Sequence, residues 1–159
     1  PDVAKSLNLL SAVHYAENHL PEARNVLEEA ITIRRQLAAS NPQAFLPDLA
    51  DSLNNLGLTH HAANRMPEAR KVLEEALKII QKLAANNPQT FLPDVARTTA
   101  SLGLLNFLEN KPTQARQLLQ EALMIYQSFA TQDQGQFIHE IGGIKAAFAL
   151  LPPTPESSP

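Results

Sequence analysis

The residues best suited to proton or metal chemistry in this chain are five histidines, His14, His19, His60, His61 and His139. A metal ion needs three or four converging ligands, and neither an HExxH run nor a Cys/His spacing is present. His14 and His60 stand 46 residues apart in matching contexts, so stacked copies could bring them near each other. The simpler reading is a histidine filling an apolar slot, and His60 and His61, as neighbours, point to different faces of a helix. No metal and no cofactor are expected. Glu28-Glu29 and Glu74-Glu75 resemble acid/base pairs, but each lies four residues from Arg24 or Arg70, where helical ion pairing accounts for it. No Ser/His/Asp or Cys/His set and no Gly-rich phosphate loop occurs, and Gly142-Gly143 alone is too little for one. Pro152 and Pro155 make a PxxP at the tail, a pattern that short Pro-rich ends match by chance. The chain is therefore not expected to be an enzyme.

What remains is recognition, and its residues depend on the elements that hold them. The chain has 159 residues, 44% of them apolar, 5% aromatic and none Trp or Cys. Abundant Ala and Leu favour closely packed helices. The formal net charge of −3, with both signs mixed along the chain, lacks the basic surplus of a nucleic-acid binder. No apolar run approaches the ~18 residues needed to span a bilayer. The lack of cysteine fits a reducing compartment, so a cytoplasmic location is expected. Because it opens on Pro1-Asp2 without Met, the chain is read as a segment of something longer.

Self-comparison decides the architecture. Residues 1–46 and 47–92 share about 28 identical positions, from PDVAKSLNLL against PDLADSLNNL to NPQAFL against NPQTFL. A third copy, 93–138, keeps PDVA, LGLL and QARQLLQEAL and loses its Asn-Pro pair, as a terminal repeat does. Each copy reads as two helices. In the second, Leu49, Leu53, Leu56, Gly57 and His60 form one stripe, and Ala69, Val72, Leu73, Ala76, Ile79, Ile80 and Leu83 the next. Asp48, following Pro47, is expected in the first turn of the first helix. Asn64-Arg65 should end that helix, Pro67 should sit in the first turn of the next, and Asn87-Pro88 should end it. Asn18 with Pro21, and Asn110 with Pro112, repeat the turn. Helices of roughly 17 and 20 residues would run about 25–30 Å. Residues 139–151 predict a capping helix, interrupted near Gly142-Gly143, and 152–159 a disordered linker.

These residues resemble the tetratricopeptide repeat (TPR). Gly57 and Gly103, with Ser11 in the first copy, match its small residue, and Ala23, Ala69 and Ala115 match its first alanine. Leu27, Leu73 and Leu119 match its large apolar residue, and Ala30, Ala76 and Ala122 its next alanine. The period is 46 rather than ~34 residues, and the family's aromatics are replaced by Leu7, Leu53 and Thr99, and by His14, His60 and Asn106. The LNNLG run and the NP…FLPDLA connection look like the long-repeat, kinesin-light-chain-like branch. The resemblance implies an all-α, right-handed solenoid of three helix-turn-helix repeats plus a C-terminal capping helix. It also implies a concave groove, lined by the first helices, that receives an extended peptide or a partner's helix.

Periodicity places a groove on the same helices. Opposite the apolar stripe stand Lys5, Asn8 and Tyr15, then Asp51, Asn54, Asn55 and Leu58, then Arg97, Ser101, Leu104 and Phe107. Asn is a mediocre helix residue, and a carboxamide can both donate to and accept from a peptide backbone. Only Asn55 and Arg97 match the family's carboxylate clamp. Asn8 replaces its lysine, and Ala12 and Ser101 miss it, which argues against a chaperone-tail ligand. The expected function is a protein-interaction module within a larger multidomain protein, with a protein or peptide ligand. Self-association through the repeat ends is the structural alternative. A sensor segment regulating an enzyme domain outside the chain is the other.

Overall fold

The computed structural model describes residues 2–130 and 137–152. Seven helices are present among them, and no strand: α1 (Asp2–Ala16), α2 (Leu20–Ser40), α3 (Pro42–Ala62), α4 (Met66–Asn86), α5 (Pro88–Leu108), α6 (Pro112–Ala130) and α7 (Ile138–Leu150). The disordered linker expected over 152–159 falls, from residue 153 on, outside the described residues.

Two kinds of joint build the chain. Within each pair, the turn is an asparagine in the left-handed region: Asn18 (φ 60°), Asn64 (φ 57°) and Asn110 (φ 57°). Asn tolerates this conformation better than other side chains, and it lets the backbone N–H of the next residue close onto the last helical turn. His19 N donates to His14 O at 2.8 Å, Arg65 N to His60 O at 2.8 Å and Lys111 N to Asn106 O at 2.9 Å. The proline that follows occupies the first turn of the second helix in all three pairs.

Between pairs the joint is a single residue. Asn41 ends α2 at φ −143° and caps α3, its Oδ1 accepting from Ala44 N at 3.2 Å. Asn87 does the same with Thr90 N at 3.3 Å. This corrects the expected helix starts. Asn-Pro ends one helix and also begins the next, so Pro47 and Pro93 lie inside α3 and α5. Asp48 is thus well past the first turn of α3. Those helices have 21 residues, against the roughly 17 expected. A proline at that depth forfeits one backbone hydrogen bond. The capped turn before it, and the packing of Phe45 and Leu46 on the core, compensate.

The chain divides into two compact units, residues 1–91 and 92–159. In the first, Leu27, Ile31 and Ala38 of α2 pack with Leu49, Leu53 and Leu56 of α3 and Ala76 of α4. Gly57 sits where α3 meets α4: a Cβ there would lie 2.5 Å from Leu73 Cγ, so any larger residue must displace Leu73 or part the helices.

In the second unit Ala96 of α5, Ala115, Leu119, Ala122, Leu123 and Tyr126 of α6, and Ile144, Ala147 and Leu151 form one core. Helix α7 covers α6, as a cap should, but runs unbroken through Gly142 and Gly143, which corrects the expected interruption. Two glycines cost ~1 kcal/mol each in helix propensity, and burial of Ile144, Ala147 and Leu151 outweighs that loss. Arg116 fastens the far end, donating to Pro152 O at 2.7 Å with its guanidinium 5.7 Å from the Phe148 ring centroid. Phe137 precedes α7 at φ 61°, held there by ring contacts with Tyr126 (4.9 Å) and Phe129 (6.3 Å).

Candidate functional site

Each unit carries a depression on the face of its first-type helices. In the first unit, a pocket of about 150 Å³ is lined by Ser11, Ala12, Tyr15, Leu27, Asn55, Leu58 and Thr59. A cavity of that size holds one benzene-sized group. Its floor is Leu27, buried by the helix pairing, and Ser11 keeps α1 close to α2 in the place that Gly57 holds in α3. Tyr15 (43% exposed) and Leu58 (36%) stand at the rim with apolar surface facing water, and Asn55 is half-buried between them. The arrangement offers an apolar socket with a carboxamide and a phenol beside it.

The other residues expected to line the groove in this unit have different places. Asn8 accepts at Oδ1 from Ser52 Oγ at 3.1 Å, and Ser52 in turn receives Arg34 Nη1 in a short hydrogen bond. Its carboxamide joins α1 to α3. Asn54 is 1% exposed, with no hydrogen-bond partner for Oδ1, so it turns into the core and presents nothing to an approaching ligand. Lys5 is exposed and Asp51 half-buried.

Arg34 is a residue that sequence reasoning missed. It is 4% exposed and also donates to Asp48 O at 2.8 Å, with Nη2 3.9 Å from the Asp48 carboxylate. The available signal was the repeat register: residues 46 and 92 further on are Ile80 and Tyr126, both buried.

In the second unit, a depression of about 220 Å³ is lined by Arg97, Ala100, Leu104, Tyr126, Glu140, Gly143 and Ile144. Arg97 pairs with Asp94 at 3.0 Å, and Ser101 Oγ donates to the Arg97 carbonyl at 3.1 Å. Leu104 is 42% exposed and Phe107 packs at the edge of the core. Burial first, then the charge of Glu140, pushes the Tyr126 hydroxyl well above its usual range, so it stays protonated.

The residues tested for catalysis sit otherwise. Arg24 and Glu28, and Arg70 and Glu74, form i,i+4 pairs, each at 3.8 Å, while Glu75 meets Arg35 of α2 at 2.6 Å. These acids are paired surface groups. His60 is 6% exposed, and burial, then Arg65, lowers its pKa, so it fills its slot as a neutral ring. No metal is expected from the sequence, which has neither an HExxH run nor a Cys/His spacing. Among the described residues, the turn after α1 draws the ligand atoms of His14, Glu17 and His19 to within 4.8 Å of one another.

Helical hairpins joined by the same turn, with a small residue at each crossing, define a repeat protein of the interaction-scaffold class. Sequence profiles of the tetratricopeptide repeat match residues 48–128 and 3–42, and the chain belongs to that family. The family is a non-catalytic scaffold that binds protein partners. A search of curated proteins yields no match. Among solved structures, the crystal structure of BtubC (BKLC) from P. vanneervenii is similar, with a TM-score of 0.65 at 20% identity. The likeness covers 98% of this chain and 68% of that one. No described helix is long and apolar enough to cross a membrane.

Proposed function

We propose that the chain binds a protein partner through the exposed face of α1 and α3, with one apolar side chain of an extended peptide or partner helix seated in the Tyr15–Asn55–Leu58 pocket. The observation that carries this reading is the pairing of exposed apolar rims with a half-buried carboxamide around a cavity sized for one side chain. Burial of a side chain against Tyr15, Leu58 and Leu27 would supply the affinity, and Asn55 would fix the backbone of the ligand. Within a larger multidomain protein, such a module recruits a partner or senses one.

The test is selection of peptides from a displayed random library on the immobilised chain. Selected peptides should share an apolar anchor, and a Tyr15→Ala, Asn55→Ala, Leu58→Ala variant should bind them at least ~30-fold more weakly, the loss of a ~2 kcal/mol anchor. A Lys71→Ala variant, altered on the α2/α4 side, should bind as the parent does. Equal binding by parent and triple variant would remove the proposal.

A second reading is favoured by α1. Val3, Leu9, Leu10 and Val13 are 61, 72, 43 and 52% exposed, whereas Leu49 and Leu56, which match Val3 and Leu10 in α3, are 4 and 5% exposed beneath α2. An apolar helix face of this kind is an association surface. Sedimentation velocity should show a concentration-dependent dimer that Leu10→Lys, Val13→Lys abolishes. A monomer at all concentrations ends this reading.

A further inference from the structure

We propose that the turn between α1 and α2 is a binding site for a late first-row divalent cation such as Zn²⁺, held by His14, Glu17 and His19. Helix α1 stops at Ala16, and the left-handed Asn18 folds the chain back so that His19 N reaches His14 O at 2.8 Å. Positions 14 and 17 would share a face of a helix, and that closure brings position 19, which would diverge on a straight helix, to the same side. His19 Nδ1 lies 3.3 Å from Glu17 Oε2, and one ligand atom from each of the three residues falls within 4.8 Å of the others. His14 also carries a buried ring nitrogen, Nδ1, without a hydrogen-bond partner. Two imidazoles and a carboxylate so clustered are the donor set of a three-ligand zinc site with a fourth place for water.

A tetrahedral ion with ~2.1 Å bonds needs its ligand atoms ~3.4 Å apart. Glu17 and His19 are more than half exposed, and their rotation closes the gap without disturbing the core. Two imidazoles with a carboxylate select Zn²⁺, Ni²⁺ or Cu²⁺ over Mg²⁺ and Ca²⁺, which prefer all-oxygen shells.

The repeats show that the feature is not inherited from the turn itself. At the places of His19, the second and third copies carry Arg65 and Lys111, paired with Glu68 (2.6 Å) and Glu109 (2.6 Å). Those turns hold a permanent cation against a carboxylate. An imidazole is cationic only when protonated, so in the first copy a bound metal supplies the positive charge, and His14 adds a ligand that Asn106 of the third copy cannot match.

The experiment is calorimetric titration of Zn²⁺ into the untagged, chelator-stripped chain, with the visible spectrum of the Co²⁺ form as a second readout. One ion per chain is expected, with binding lost as pH falls and the imidazoles protonate. His14→Ala, Glu17→Gln and His19→Ala should each weaken binding at least ~100-fold, more than loss of an outer-shell partner does. His61→Ala and His139→Ala should bind as the parent does. Glu17 and His19 are exposed, so those two variants fold whatever His14→Ala does. No stoichiometric binding, or binding that survives His19→Ala and Glu17→Gln, overturns the proposal, including the case where it follows His61 or His139 instead.

Discussion

Arg34→Ala is expected to lower the stability of the first unit by about 3 kcal/mol, and Arg34→Met by less, about 1–2 kcal/mol. Arg34 is a charged side chain of α2 enclosed at 4% exposure. Its guanidinium serves the Asp48 carbonyl, the Ser52 hydroxyl and, at 3.9 Å, the Asp48 carboxylate. Truncation removes the donor and leaves two acceptors without it, each costing ~1–3 kcal/mol if water cannot enter. It also opens the volume of a long side chain between α2 and α3. Methionine leaves the same two acceptors unserved but refills that volume, so it recovers only the cavity part of the loss; the second copy carries the apolar Ile80 at this place, 2% exposed. Urea unfolding of the two variants decides the matter. A cost under ~1 kcal/mol for alanine would mean that water reaches Asp48 and Ser52 and that the network has little energetic weight. Either substitution leaves the Ser52 hydroxyl donating to Asn8 Oδ1, so the link between α1 and α3 should persist.

Gly57→Val is the second large effect, about 3 kcal/mol of destabilisation, or a fall in Tm of roughly 6–12 °C for a chain this size. A Cβ at residue 57 would stand 2.5 Å from Leu73 Cγ and 2.6 Å from Cδ2. Leu73 is 1% exposed, so it has nowhere to retreat and α3 must move off α4. The shift would carry Asn55 and Leu58 with it, so peptide affinity should fall along with stability. Gly103→Val meets Leu119 Cγ at 2.9 Å and the Leu119 backbone nitrogen at 3.3 Å, so it should cost nearly as much. Gly57→Ser should cost less than valine, because the first copy places Ser11 opposite Leu27 and directs its hydroxyl to Asn8 O at 2.7 Å. Thermal melts of the three variants test this order, and a valine variant as stable as the parent would contradict it.

Two features of the site follow from chain-local chemistry and were legible at once. An asparagine before each proline-led helix reads as a turn in three places, because few other residues accept the left-handed backbone that such a turn needs. The small residues at 11, 57 and 103, each sixteen before a leucine, mark the helix crossings for the same kind of reason: contact distance leaves no room for more. The apolar stripes at helical spacing likewise name the core, as Leu53, Leu73 and Ile80 confirm.

Other features depended on what lies opposite, which no residue carries in its own type. Asn54 and Asn55 are identical in chemistry and adjacent, yet 100° of helical rotation puts one in the core and the other beside the pocket. Arg34 reads as a solvated charge until α3 is packed over it. Pro47 reads as a helix start because proline interrupts the helical ladder, whereas the cap at Asn41 had already begun α3. His14 and Glu17 stand three apart, as neighbours on a helix do, but His19, five from His14, joins them only through the turn at Asn18. The sequence by itself determined the order of the helices, the turns within each pair, the core stripes and the family. The tertiary structure decided which polar side chains face water and which converge, because burial and proximity belong to pairs of elements and not to single positions.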